Sequence, residues 1–399
     1  MLAPRTIELV KSTIPLLESA GVAITQHFYQ RMFRLNPELK NIFNMSNQQS
    51  GRQQFALFNA IAAYAHNIEQ PAVLKAAIER IAHKHASLFV QPEHYDIVGH
   101  HLLETLQELA PDAFTPEVKA AWAEAYGLLA KLFIEREGQI YQAAQSSSGG
   151  WQGTRRFKVL RKIPESDYVS SFILAPVDGG ALLSYQPGQY LSIRLQPANA
   201  EYAAIRQYSL SSQFNGDHYR ISVKRESLPQ PGLVSNYLHT HIQVGDELDV
   251  LPPTGDFFLK SVADKNVLIS AGVGLTPMLA MLETILHAEP KSAVPVLFLH
   301  ACENARQHSF AEHIECLQRD FPQLTRYTWY NQADAAAGGA QFNGLMQLTP
   351  IAEDLPLADG EFYLCGPVGF MQFIKDQLIG LGVANERIHY EVFGPHREV

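Results

Sequence analysis

Leu74-Lys75-Ala76-Ala77-Ile78-Glu79-Arg80-Ile81-Ala82-His83-Lys84-His85 decides how the first third of this chain is read. Leu74, Ile78, Ile81 and His85 recur at spacings of four, three and four, so a helix presents them on one face and delivers an imidazole among apolar side chains. His83 falls nearly opposite. A hydrogen-bonded core histidine and a metal-ligating one both satisfy that pattern. The helix begun by Pro92 carries Tyr95, Val98, Leu102, Leu106 and Leu109 on its stripe, and the one after Pro116 carries Ala121, Ala125, Leu128, Leu132 and Glu135. A tyrosine and a carboxylate arriving at a core are costly unless paired. They can pair with each other, or both can serve the free ring N–H of a ligating histidine, which a carboxylate acceptor makes more electron-donating.

Outward from this stretch, residues 1–146 read as helix after helix, punctuated by prolines at 15, 37, 71, 92, 111 and 116. Tyr29 shares a face with Val22 and Phe33, Gln53 precedes Leu57, Ala60 and Tyr64, and Phe43 sits where a helix gives way to a loop. Ala143-Ala144-Gln145-Ser146-Ser147-Ser148-Gly149-Gly150 then reads as a linker. Beyond Trp151 the period changes. Phe157–Arg161, Tyr190–Leu195, Tyr219–Lys224 and Glu247–Leu251 alternate or carry branched residues between turn signals, as in an antiparallel sheet or barrel. From Asn266 onward, strands alternate with helices: Val267–Ser270 then Pro277–His287, Val294–His300, and Glu361–Leu364 then Phe370–Leu381. That is the rhythm of a parallel α/β sheet. The domains expected are 1–146, 151–262 and 263–399.

Bulk properties exclude more than they assign. A net charge of −9 argues against a general nucleic-acid binder, which needs a basic surface. Three cysteines, Cys302, Cys316 and Cys365, imply no disulfide framework. Glu8 and Lys11 interrupt the first apolar stretch, so no secretory signal is read. The longest charge-free apolar segment, Asn266–Leu282, is broken by Gly272, Gly274 and Pro277 and is too short to span a membrane. A cytoplasmic monomer with no stable membrane association is expected.

The second half holds the other chemistry-bearing motifs. Arg206-Gln207-Tyr208-Ser209 ends a strand and offers a guanidinium for a phosphate, an aromatic face and a hydroxyl. A structural cross-strand quartet gives the same pattern. Pro187-Gly188-Gln189-Tyr190 supplies a second aromatic, and Gly232-Leu233-Val234-Ser235 opens a helix whose N-terminus suits a phosphate. Gly272-Val273-Gly274-Leu275-Thr276-Pro277 lies between a strand and a helix, where glycines let the backbone approach a pyrophosphate. It is not the six-residue dinucleotide fingerprint. Cys365-Gly366-Pro367 repeats the arrangement, and a tight structural turn explains either alone. After the strand Val294–His300, Glu303 suits a free ribose hydroxyl whereas Arg306 suits a 2′-phosphate.

Phe43-Asn44-Met45, Lys84-His85, Tyr95 and Glu135, followed in order by the reductase motifs, resemble the flavohaemoglobins over essentially the whole chain. The second half by itself resembles the ferredoxin–NADP reductases. The resemblance implies an all-α globin domain, an antiparallel β-barrel FAD domain and an α/β parallel-sheet NAD(P)-binding domain. It implies one haem b with His85 as proximal ligand, Tyr95 and Glu135 behind it, and Tyr29 and Gln53 as distal donors under Leu57. Tyr190, Arg206–Ser209 and Val392-Phe393-Gly394-Pro395 would bind FAD. Gly272–Pro277 would hold NADH or NADPH, with Cys365-Gly366-Pro367 near the nicotinamide, and Lys84 and Glu391 would lie where the haem and flavin domains meet. The activity implied is nitric oxide dioxygenase. NAD(P)H reduces FAD, FAD reduces haem, and dioxygen at the ferrous haem oxidises nitric oxide to nitrate. An oxygen- or redox-sensing globin and a general NAD(P)H-dependent reductase of quinones, ferric complexes or peroxides are the alternatives. A lipid in the apolar haem pocket is a further ligand the reading allows.

Overall fold

The computed structural model describes residues 2–45, 48, 51–198, 200–227, 231–262, 264–288, 294–332 and 341–394, apart from the Arg52 side chain. Backbone contacts divide them into two compact units. The first holds residues 2–147, 194–206 and Gly394, and the second holds 148–193 and 207–393.

In the first unit the chain runs through α1 (Pro4–Ser12), α2 (Ile14–Ala20), α3 (Val22–Leu35), α4 (Arg52–His66), α5 (Lys75–Ala86), α6 (Pro92–Leu109) and α7 (Pro116–Ser146). Pro4, Pro15, Pro92 and Pro116 each occupy the first or second helical position, where a missing N–H leaves no gap in the ladder. Pro37 and Pro71 instead open short 3₁₀ turns, Pro37–Asn41 and Pro71–Leu74. At the start of α7 the Val118 backbone N–H donates to Thr115 Oγ1 at 3.4 Å, and before α6 the Gln91 N–H donates to His94 Nδ1 at 2.9 Å. The core gathers Val10, Leu17, Phe28, Met32, Leu39, Leu106, Phe114 and Trp122 from across the unit. Its polar heads are satisfied: Trp122 Nε1 donates to Thr13 Oγ1 at 3.1 Å and the Tyr64 hydroxyl to the Ala125 carbonyl at 2.8 Å. The linker begins later than its composition suggests. Ala143, Ala144 and Gln145 are good helix formers and extend α7 to Ser146.

Two sheets follow, belonging to the second unit except for residues 194–195 and 204–206 of the first sheet, which are grouped with the helices. The first contains β1 (Arg155–Pro164), β2 (Val169–Pro176), β3 (Tyr190–Leu195), β4 (Ala204–Ser209), β5 (Tyr219–Lys224) and, after the helix α8 (Leu233–Thr240), β6 (Glu247–Thr254). Its order is β4-β3-β6-β1-β2-β5, and β1 runs antiparallel to β2 and β6, as does β2 to β5. The two end strands meet just beyond β4: Leu210 bridges to Ile221 and Ser211 N–H donates to the Arg220 carbonyl at 2.9 Å. This contact closes the sheet into a barrel and leaves no bare edge there. Lys162 Nζ caps α8 by donating to the carbonyls of Leu238, His239 and Ile242 at 3.2, 2.7 and 2.9 Å.

The second sheet is built from β7 (Asn266–Ala271), α9 (Leu275–Leu286), β8 (Val296–Cys302), α10 (Ala311–Asp320), β9 (Leu324–Tyr330), β10 (Phe342–Asn343), β11 (Glu361–Cys365), α11 (Val368–Gly380) and β12 (Ile388–Glu391). The strand order is β10-β9-β8-β7-β11-β12, with every pair parallel. Both faces are covered. Leu268, Phe298 and Tyr363 point into one apolar layer with α9 and α10, and Val267, Leu299 and Leu364 into another with α11. The chain steps from β7 to β8 and β9 on one side, then returns to place β11 on the other. The topological switch therefore lies between the carboxyl ends of β7 and β11. Among the described residues, no helix is long and apolar enough to cross a membrane.

Candidate functional site

His85 stands in the last turn of α5, 32% exposed, with one ring nitrogen tightly engaged. Its Nδ1 lies 2.8 Å from the Tyr95 hydroxyl oxygen on α6 and 2.8 Å from Glu137 Oε1 on α7. Tyr95 donates its own proton to the same Glu137 oxygen at 2.5 Å. A carboxylate only accepts and the tyrosine proton is already placed, so the hydrogen on Nδ1 must be the imidazole's. Nε2, which makes no hydrogen bond among the described residues, is left with its lone pair outward. Phe133 packs against both rings, at 5.6 Å from His85 and 6.2 Å from Tyr95. Burial, and then the Glu137 charge, push the Tyr95 phenol far up, so it remains a donor.

The carboxylate in this triangle is Glu137, and the expectation for Glu135 is corrected. Glu135 is 57% exposed and lies 3.8 Å from Lys131 one turn back, while the Glu137 side chain is 3% exposed. The reason is a drift of the buried face along α7. Its first half buries Val118, Ala121, Trp122 and Ala125, its second half Ala130, Phe133 and Glu137. At 3.6 residues per turn the two sets are centred roughly a quarter-turn apart. The stripe Ala121, Ala125, Leu128, Leu132 continues one straight line that the packing abandons.

Tyr29 is buried on α3, with its ring between Phe28, Phe33 and Phe43. Burial lifts its phenol to about 12, against hydrogen bonds to Gln53 and Gln48 that pull the other way. Tyr29 and Gln53 are thus brought together as expected, Leu57 packs against the same core, and Gln48 joins them unannounced. Gln54 Nε2 donates to Gln48 Oε1 at 3.0 Å, while Gln48 Nε2 is buried without a partner. An orphaned donor beside a buried phenol, and a histidine nitrogen with a free lone pair, fit a pocket for a polar ligand on a metal macrocycle. Lys84 lies in the last turn of α5, where its carbonyl accepts from Ser87 Oγ.

In the barrel, Tyr190 is buried at the start of β3, beside the chain that follows β4, where Leu210 N–H donates to the Gln189 carbonyl at 2.9 Å. Arg206, Gln207, Tyr208 and Ser209 form the end of β4, the first three half-buried. Gly255 is the residue the sequence left unmarked here. At φ +129° it lets Tyr190 close in, and a Cβ would come 2.9 Å from Tyr190 Cε1.

The nucleotide motifs meet at the switch point. Gly272, at φ +52°, turns the chain out of β7, and α9 begins at Leu275. A Cβ on Gly274 would strike the Cys365 carbonyl, and one on Gly366 would come 2.9 Å from Phe370 and 3.1 Å from Ala271. Gly272–Pro277 and Cys365–Pro367 therefore line one cradle that side chains would fill, beside the N-terminus of α9, as an anionic dinucleotide needs. Burial, and then the Glu391 carboxylate, raise the Cys365 thiol and keep it neutral. Glu391 ends β12 opposite Cys365. Val392 packs on the α11 side of the sheet and Phe393 is exposed, while Pro395 lies outside the described residues.

Comparison with known proteins agrees with this layout. The sequence matches the Globin family over residues 26–132, the oxidoreductase FAD-binding domain over 157–259 and the oxidoreductase NAD-binding domain over 268–376. It is 55% identical to a flavohaemoprotein of Vibrio cholerae, with all of both chains covered. A crystal structure of a flavohaemoglobin from Malassezia yamatoensis with bound FAD and haem has a TM-score of 0.87 and 27% identity, covering 98% of this chain and all of that one. The FAD/NAD-binding domain of a nitric oxide dioxygenase from Vibrio cholerae aligns with 61% of this chain and all of its own at 49% identity, TM-score 0.56. A histidine triangle in a helical unit, a flavin-type barrel and a dinucleotide cradle, all in one chain with full-length relatives, place this protein in the flavohaemoprotein family.

Proposed function

We propose that the protein is a nitric oxide dioxygenase driven by NAD(P)H and dioxygen, organised as domains 1–146, 151–262 and 263–399. The observation that carries the reading is the His85–Tyr95–Glu137 triangle in the same chain as a reductase. A storage protein needs no tethered reductase, whereas an enzyme whose iron is oxidised in every cycle does. The Vibrio cholerae reductase domain, from a protein named as a nitric oxide dioxygenase, supports the same substrate. Each NAD(P)H supplies two electrons, which convert two nitric oxides and two dioxygens into two nitrates and release one proton.

When bound, the flavin accepts a hydride and passes electrons on singly, and the haem iron brings the two gases together. The rest is the work of side chains. His85 Nε2 is the nitrogen for the iron, and Glu137 holds the Nδ1 proton so that the ring orientation is fixed and its donor strength raised. Tyr29, protonated at every physiological pH, and Gln53 donate hydrogen bonds to a partly negative ligand. With FAD bound, Arg206 would meet a phosphate, Tyr190 and Tyr208 would lie against the ring system, and Ser209 would hydrogen-bond its reactive nitrogen. Gly272–Pro277 would cradle the pyrophosphate at the N-terminus of α9, and the neutral Cys365 thiol would lie on the nicotinamide side of that cradle. Three free cysteines accord with a reducing cytoplasm.

Nitric oxide loss at an electrode tests the proposal, with purified holoprotein in aerated buffer before and after adding NADH. Catalytic loss that requires both NADH and oxygen is expected. Loss of a single equivalent per haem would refute it in favour of a sensing globin. Unchanged NADH oxidation after haem removal would point to a general reductase.

A further inference from the structure

Glu283 lies on α9, two turns beyond the Gly272–Gly274 bend, and its side chain is only 11% exposed. Three donors from three separate segments converge on it. Its Oε1 accepts from Arg220 Nη2 on β5 and from His313 Nε2 on α10, both at 2.9 Å. Its Oε2 accepts from the Gln213 backbone N–H at 2.8 Å. Arg220 is itself held: its Nε donates to the Ser211 carbonyl at 3.1 Å, and its guanidinium lies 5.1 Å from the Phe310 ring centre.

The placement of these partners gives the cluster its meaning. Ser211 and Gln213 follow directly on Arg206–Ser209, the strand end assigned to the flavin. Glu283 belongs to the helix that begins where the nucleotide cradle ends, and a helix moves as one body with its first turn. A single carboxylate therefore ties the flavin-binding strand to the nucleotide-binding turn, each only a few residues away. Burial alone would raise this carboxyl, yet its donors hold it below the usual range, so it stays charged. For adhesion alone, a buried ion cluster is a poor choice, because apolar side chains of similar size hold two surfaces at least as well. A carboxylate with three directional donors adds a fixed orientation.

We propose that Glu283 is a positioning residue for hydride transfer, setting the distance and angle between the nicotinamide turn and the flavin strand through Arg220, Gln213 and His313. The proposal rests on the assignment of those two motifs to the nicotinamide nucleotide and FAD.

The test is anaerobic rapid mixing of the full-length holoenzyme with NADH and with NADH deuterated at the transferred position, following loss of flavin absorbance. In Glu283→Gln the limiting rate of flavin reduction should fall about tenfold to a hundredfold, as a misplacement near 1 Å produces. The slowing should sit on the isotope-sensitive step, with FAD content and nucleotide dissociation constant at wild-type values. An unchanged limiting rate, or a loss explained wholly by weaker nucleotide binding, overturns the proposal. Should Glu283→Gln purify without FAD, His313→Ala decides, since that side chain is 40% exposed and its removal spares the Arg220 contact. A slower isotope-sensitive step with FAD retained supports positioning, and an unchanged step overturns it. If wild-type flavin is not bleached by NADH at all, the motif assignment has failed instead.

Discussion

Replacing Glu137 by glutamine leaves the shape of the site nearly intact and removes its charge. In the native triangle one carboxylate oxygen accepts from Tyr95 at 2.5 Å and from His85 at 2.8 Å, inside a side chain 3% exposed. Hydrogen bonds to a charged acceptor contribute roughly 1.5–3 kcal/mol, against about 0.5–1.5 for neutral pairs. Two such exchanges therefore destabilise the fold by about 2 kcal/mol, before counting the new amide N–H, which has no evident acceptor. Partners of a ligating histidine typically change metal retention about 10- to 100-fold. Glu137→Gln should lower the unfolding free energy of the apoprotein by that amount and speed haem transfer to an acceptor protein. It should also raise the haem midpoint potential, because a less anionic imidazole favours ferric iron less. Glu135→Gln is the control, since an exposed pair one helical turn apart contributes about 0.3–0.5 kcal/mol. Denaturant titration, haem-transfer kinetics and spectroelectrochemistry on both variants measure the contrast. The reasoning fails if Glu135→Gln has the larger effect, or if Glu137→Gln leaves all three unchanged.

The other expectations concern each cofactor in turn. His85→Ala should abolish stable haem incorporation while FAD stays bound, and a normal haem spectrum would remove the ligand assignment. Tyr29, raised from 10.0 to about 12, contributes stability that is complete below pH 10 and is lost as pH rises through about 12. The contribution is about 3 kcal/mol. Tyr29→Phe should flatten that part of the alkaline unfolding curve, and coincident curves would contradict the burial argument. Gly274→Ala should block flavin reduction by NADH without loss of haem, because its methyl meets the Cys365 carbonyl. Wild-type reduction kinetics would show that the cradle yields.

Much of this was legible because local rules sufficed. Alternation or branched residues between turn signals placed Tyr190–Leu195 and Tyr219–Lys224 to the residue, and the glycine motifs sat at strand ends as expected. Face and residue type singled out His85, Tyr95, Tyr29 and Gln53 as polar groups arriving at the core, while their roles came only from the family resemblance. Glu137 was missed because a periodicity argument assumes that a helix keeps one partner along its length. α7 packs beside α1 early and beside α5 later, so its inner face turns. Gly255 and Glu283 were invisible for a different reason: their roles depend on residues distant in sequence, Tyr190 in one case and Arg220 in the other. Gln48 lies in the connection between α3 and α4, where no period guides the reading.

The parallel pairing of β7 also governs when the enzyme becomes competent during synthesis. Asn266–Ser270 waits for Glu361–Cys365, 95 positions further along the chain (266 to 361), before its inner edge is covered and the cradle has its second wall. Until then a ribosome-bound chain can complete the helical unit and most of the barrel, but it has nowhere to seat a nicotinamide. A product truncated before residue 361 would therefore be unable to draw electrons from the nicotinamide pool and leak them to oxygen. Unfinished copies would be silent rather than harmful, which NADH oxidation by a chain stopped at residue 360 would disprove.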